Sequence, residues 1–114
     1  MLFDRTRKRK VVSKVSHCNT AWSKFRGLMF SLPIRDRCLV FRFDPPRRVD
    51  LHMFFVFFPI DVLFLDKKRR VIEIKHNFLP FTFYLSGKKA GYAVELPART
   101  ILDRRIRVGD RLEF

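Results

Sequence analysis

The chain has 114 residues, enough for one domain with its own core, and 47% hydrophobic content with 14 phenylalanines excludes disorder over most of its length. Lys and Arg number 25 against 11 Asp and Glu, a formal net charge of +14, which attracts nucleic acid, anionic membrane or acidic proteins over long range unless it serves only solubility. Two cysteines, Cys18 and Cys38, are too few for a disulfide framework and lack metal-ligand spacing.

Residues 1–9 read as a basic arm, with Arg5, Arg7, Lys8, Arg9 and Lys10 in near-continuous positive charge. Such a run is either a solvated lead-in or an anion-binding tail. Residues 10–114 read as a single domain. No apolar stretch of signal-peptide type follows the first residues, so a cytoplasmic location is expected.

The first strand is predicted over 10–15. Asn19-Thr20 then precedes AWSKFRGLMF, where either side chain can accept a hydrogen bond from a first-turn amide. Ala21, Phe25, Leu28 and Met29 recur at offsets of four, seven and eight, so this stretch is predicted as a helix with one apolar face. Gly27 marks close packing or the helix end, and Pro33 lies beyond it. CLVFRF is predicted as a strand over 38–43, opening on Cys38 as a buried free thiol, and Asp44-Pro45-Pro46 is predicted to end it.

Leu51 to Asp66 is the most apolar stretch, interrupted by Pro59 and the carboxylate of Asp61. It is too short to cross a bilayer as a helix, and Phe and Val suit a buried pleated surface. Two central strands are predicted, over 51–57 and 60–66, after a polar loop at 47–50. Lys67, Lys68, Arg69 and Arg70 form a hairpin tip that returns into a half-exposed strand over 71–75. His76-Asn77 breaks that run, and Pro80 limits 78–85 to an edge strand or extended loop. Ser86-Gly87-Lys88-Lys89 reads as a turn before a strand over 91–96. Pro97 suits the first turn of a short helix, and Val108-Gly109-Asp110 makes a tight turn into a closing strand over 111–114. The predicted class is α+β: a β-rich, curled or barrel-like antiparallel sheet, one helix in the N-terminal half and a short C-terminal helix.

Gly27-Leu28-Met29, Met53 followed by Pro59-Ile60-Asp61, Phe64-Leu65-Asp66, Val94-Glu95-Leu96 and Gly109-Asp110 occur in the order of a known motif set. In these residues the chain resembles the small single-domain proteins grouped as domain of unknown function 192 (DUF192), from about Ala21 to Phe114. The resemblance implies a compact β-rich α+β fold with no established reaction. Many members carry Trp before the Met and Lys-Asn-Thr after it; here His52 precedes Met53, and Phe54-Phe55-Val56 follows. No polar role of that Lys-Asn pair is carried over.

Asp61 is the most pointed candidate, since a carboxylate in an apolar segment must be protonated, paired or bonded to backbone amides. It reads as a proton-transfer group, or as a buried anchor tying its strand to a helix terminus or a loop; the anchor is favoured. Glu95 forms a second carboxylate with which Asp61 makes a hydrolytic pair if the fold brings them together. His52 and His76 lack the local spacing of a metal site, and neither a metal nor another cofactor is expected. No nucleophile motif, phosphate-cradling loop or dinucleotide fingerprint occurs. The recurrent basic groups, the arm, the tip at 67–70, Lys88-Lys89 and the cluster Arg104, Arg105, Arg107 and Arg111, make a phosphate-binding surface if two of them meet. Phe78, Phe81, Phe83 and Tyr84 then offer stacking faces, or else lie in the core. The leading reading is a non-enzymatic cytoplasmic binding module for RNA, DNA or another polyanion. The alternatives are a small enzyme or ligand-binding domain built on Asp61, and a protein held to an anionic membrane surface by its basic arm and exposed Phe residues.

Overall fold

The computed structural model describes residues 1–18, 33–53 and 56–114. The helix predicted after Asn19-Thr20, with Gly27, Leu28 and Met29, lies outside the described residues. Along the chain run β1 (Leu2–Asp4), β2 (Arg9–Val12), β3 (Lys14–Cys18), β4 (Arg37–His52), β5 (Ile60–Leu65), β6 (Val71–Phe78), β7 (Phe83–Pro97), the short helix α1 (Thr100–Arg104) and β8 (Leu112–Glu113).

These strands form two sheets rather than a closed barrel, in the orders β2-β1-β8 and β3-β4-β7-β5-β6. The sheets are not purely antiparallel, because β3 runs parallel to β4 from Lys14 opposite Arg37 to Cys18 opposite Phe41. The predicted strand over 10–15 is two strands, and the chain crosses between sheets at Ser13, whose amide donates to Asp36 Oδ1 at 2.9 Å. The N-terminal segment is no free arm. Leu2 and Asp4 are buried, and Phe3 pairs with both Lys10 and Glu113.

Both faces of the larger sheet are covered, which explains why all six residues of β5 are buried and read as an unbroken apolar run. One face, with Leu63, Leu65, Val94 and Leu96, packs on Leu2, Val12 and Leu112 of the small sheet and on Ile101 of α1. The other, with Val62, Phe64 and Ala93, packs on Val49, Met53 and Ala90. Val49 and Ala90 belong to the outer parts of β4 and β7, which bend back over the sheet, and Met53 directly follows β4. The bend is visible in Tyr84, whose ring stacks on Phe64 of β5 at 5.9 Å although the two strands do not pair there.

Two predicted breaks are really bulges inside long strands. Arg42 pairs with Tyr92 and Arg47 with Ala90, so Asp44-Pro45-Pro46 is accommodated as an irregularity and β4 continues to His52. Ser86-Gly87-Lys88-Lys89 likewise remains within β7: Arg48 faces Lys89 and Asp50 faces Leu85, leaving surplus residues on one side. Ser86 Oγ satisfies the displaced backbone by accepting from Val49 N–H at 2.7 Å and donating to Lys88 O at 2.8 Å. Of the strand predicted over 51–57, Leu51 and His52 end β4, and Phe54 and Phe55 lie outside the described residues. Gly91 sits at the bend, where a Cβ would meet the Lys67 backbone N and Cα at 3.0 Å.

Pro97 ends β7 opposite Ile60 rather than opening the helix. Helix α1 stops without glycine: Arg105 takes φ 56°, its N–H reaches Leu102 O, and Ile106 N–H reaches Ile101 O at 3.0 Å. That is the bond pattern of a Schellman cap, closed by the buried side chains of Ile101 and Ile106.

Candidate anion-binding site

The β5–β6 hairpin tip is held by Asp66, whose Oδ1 accepts from the amides of Lys68 at 2.9 Å and Arg70 at 3.0 Å. Short polar side chains close turns in this way because the backbone there has lost its ladder partners. From the tip, Arg69 O accepts from Leu112 N–H, Val71 N–H donates to Asp110 O, and Arg70 forms a bridge with Arg111. The tip is thereby joined to the C-terminal strand, which in turn pairs with β1; Arg5 N–H donates to Arg111 O at 2.8 Å.

This junction lines an open cleft of about 490 Å³ with Arg5, Lys68, Arg69, Arg70 and Arg111, against a single acidic side chain in its wall, Glu113. Arg5 is paired with Glu113 at 2.6 Å. Arg69 donates to Phe114 O at 2.6 Å and lies 4.1 Å from the Phe114 ring centroid, while Arg70 donates to Gly109 O at 2.7 Å. The bond to the Gly109 carbonyl orients the Arg70 guanidinium without cancelling its charge, and the Phe114 ring lies against that of Arg69. Lys68 and Arg111 have no ion-pair partner among the described residues.

Beneath the cleft lies a buried network whose pairing of Asp4 with Asp110 no sequence pattern singled out. Asp4 Oδ1 accepts from Thr6 N–H at 3.0 Å and Arg7 N–H at 3.1 Å, closing the turn that presents Arg5. Asp110 Oδ2 accepts from Arg7 Nε at 2.9 Å and Arg107 N–H at 3.1 Å. Asp4 Oδ2 is buried, has no N–H or O–H donor among the described residues and borders the Asp110 carboxyl, where a proton shared between the two acids would satisfy it. Burial first, and then Asp110, push the Asp4 carboxyl up to about 6. Burial also opposes ionisation of Asp110, yet the hydrogen bonds from Asp4, Arg107 and Arg7 hold it below the usual carboxylate range. Asp110 belongs to the Gly-Asp motif, but its partner Asp4 is 106 positions away, beyond the reach of local pattern.

The basic arm is dispersed. Arg5 enters the cleft, Arg7 pairs inward with Asp110, Lys8 occupies the β1–β2 turn at φ 54°, Arg9 faces Asp4 across the strands, and Lys10 Nζ donates to Ser13 Oγ at 2.9 Å. Lys67 lines a neighbouring cleft. Lys88 and Lys89 are exposed on the outer ribbon, outside the cleft wall.

Asp61 and Glu95 do not meet. Asp61 pairs with Leu96 and Val62 with Glu95, so the two carboxyl groups project from opposite faces of the sheet. Asp61 Oδ1 accepts from Asn77 N–H at 3.0 Å and Oδ2 from Ile101 N–H at 2.9 Å. The first amide is freed by the bulge at His76-Asn77, where Ile60 faces Phe78 and Val62 faces Lys75. The second is an unpaired first-turn amide of α1, whose own N-cap, Arg99, makes no side-chain cap. Glu95 stands between Leu39 and Val62, its Oε2 without a hydrogen-bond partner among the described residues, and burial raises its pKa to about 7. His52 is exposed at the end of β4. Phe78 is buried, Tyr84 turns inward to Glu73, and Phe81 and Phe83 are exposed at the end of the sheet opposite the tip. They are not beside the cleft. Both cysteines are buried thiols, and burial pushes Cys38 up to about 12. Among the described residues no helix is long and apolar enough to cross a membrane, and no three His, Cys, Asp or Glu side chains cluster to hold a metal ion.

The model of the family DUF192, described as Uncharacterized ACR, COG1430, matches residues 3–114, and the chain belongs to that family. A UPF0127 protein of Thermococcus sibiricus is 33% identical over 116 residues, covering 100% of this chain and 74% of the relative. One from Pyrococcus furiosus is 29% identical and covers 96% and 93%. Among solved structures, a protein of unknown function from Novosphingobium aromaticivorans DSM 12444 superposes with a TM-score of 0.89 at 22% identity, over 99% of this chain and 82% of that one. It shows the fold alone. A Sinorhizobium meliloti 1021 protein, provisionally described as a transcription regulator, gives a TM-score of 0.82 at 27% identity, covering 87% and 79%.

Proposed function

We propose that this DUF192 protein is a non-enzymatic cytoplasmic binding module for a polyanion, RNA or DNA, and that the cleft at the hairpin tip is where it binds. The observation that carries this reading is the convergence of Arg5, Lys68, Arg69, Arg70 and Arg111, from three distant parts of the chain, on one cleft with a single acidic side chain. Turn and strand bonds fix the backbone that carries them, so little ordering is left for the moment of binding. The provisional description of the S. meliloti relative as a transcription regulator is in keeping with such a partner.

Titration of labelled RNA and DNA with the protein at several salt concentrations tests it. The reading predicts a linear fall of log affinity with log salt, its slope counting the phosphates neutralised. Absence of binding at low salt would reduce the +14 charge to a solubility feature.

A further inference from the structure

The hairpin tip has a cleft on each side, and the two differ in chemistry. The second, of about 360 Å³, is lined by Lys67 and Lys68, by Arg42 paired with Asp44 at 3.7 Å, and by the half-buried rings of Phe43 and Tyr92. Lys68 stands in the wall of both clefts, so they meet across the tip. Their relative position is set by backbone contact, since Gly91 in the second cleft brings its α-carbon against the Lys67 main chain with no room for a side chain. Tyr92 packs edge-to-face with Phe114, 5.3 Å between ring centroids, and the Arg69 guanidinium lies 5.5 Å from its centroid.

An isolated anion is served by the first cleft alone; nothing about a phosphate or sulfate calls for aromatic walls beside it. A chain of phosphates carrying flat bases matches both clefts at once, but only if its bases are unpaired, because a duplex turns their faces inward. We propose, resting on the polyanion reading above, that the ligand is a single strand of nucleic acid crossing the tip. Its phosphates lie among Arg5, Lys68, Arg70 and Arg111, and a neighbouring base stacks in the Phe43–Tyr92 cleft.

Fluorescence anisotropy on the intact protein decides this with four probes of matched phosphate number: single-stranded RNA, the same strand paired as a duplex, an abasic strand, and inorganic polyphosphate. Single strands should bind about tenfold more tightly than the duplex or the abasic strand, with affinity levelling off at roughly 4–8 nucleotides. Tyr92→Leu should weaken single-strand binding several-fold and leave polyphosphate binding unchanged. Equal binding of abasic and intact strands, or duplex binding as tight as single-strand binding, overturns the inference while the polyanion reading stands. Failure of all four probes to bind at low salt removes both.

Discussion

Asp61 illustrates how a buried charge is made tolerable: two backbone amides that secondary structure leaves unpaired converge on its two oxygens. Removing the carboxylate in Asp61→Ala strands both amides and is expected to cost about 3 kcal/mol, at 1–3 kcal/mol for each unsatisfied buried group. Asp61→Asn retains one acceptor and should cost about half as much; thermal and urea denaturation of both variants measure this. A fully stable Asp61→Ala protein would contradict the anchoring role. Glu95 behaves oppositely. The folded protein binds its proton more tightly than the unfolded chain does, so its contribution is fully present below the ordinary glutamate value of 4.5 and is lost as pH rises through about 7. The melting temperature should fall as pH rises from about 4.5 to about 7 and level off above that, and Glu95→Gln should flatten that fall. A profile unchanged by the substitution would show that Glu95 is not the group titrating.

At the scale of elements, Gly91→Ala places a methyl group 3.0 Å from the Lys67 backbone. Because main chain cannot swing aside as a long side chain can, the variant should lose about 1–3 kcal/mol and shift the amide resonances of the hairpin tip. The cap of α1 offers the reverse case. Arg105 occupies the left-handed region at a position where glycine carries no steric penalty, so Arg105→Gly should gain about 0.5–1 kcal/mol in denaturant unfolding. Neither a close approach nor a non-glycine cap leaves a local mark on sequence. What was legible was the β5–β6 hairpin with its charged tip, because an apolar run, a basic break and an alternating return are all short-range patterns. The long bent strands were not, because a bulge uses the same residues as a turn: Asp44-Pro45-Pro46 and Ser86-Gly87 interrupt the ladder without ending β4 or β7. Arg5 and the 67–70 tip were legible as cations, but their meeting in one cleft depends on β1–β8 pairing across nearly the whole chain.

For the whole molecule, layering explains both the composition and the placement of charge. The larger sheet is covered on one face by the small sheet and α1 and on the other by its own folded ribbon. Apolar residues are thus drawn inward from both sides, and the excess of Lys and Arg is left to loops and edges. The hairpin tip, the β1–β2 turn and the C-terminal strand are the edges that meet. Net charge alone would attract a polyanion everywhere, whereas a built cleft localises it. The decisive comparison sets Lys68→Glu/Arg111→Glu in the cleft against Lys88→Glu/Lys89→Glu on the outer ribbon, two variants with identical change in net charge. RNA affinity would be followed by anisotropy across a range of salt. The cleft variant should lose at least tenfold in affinity and about two units of salt slope, with the ribbon variant close to the parent protein. Equal losses in both would mean that the positive charge acts diffusely and that the cleft is not the binding site.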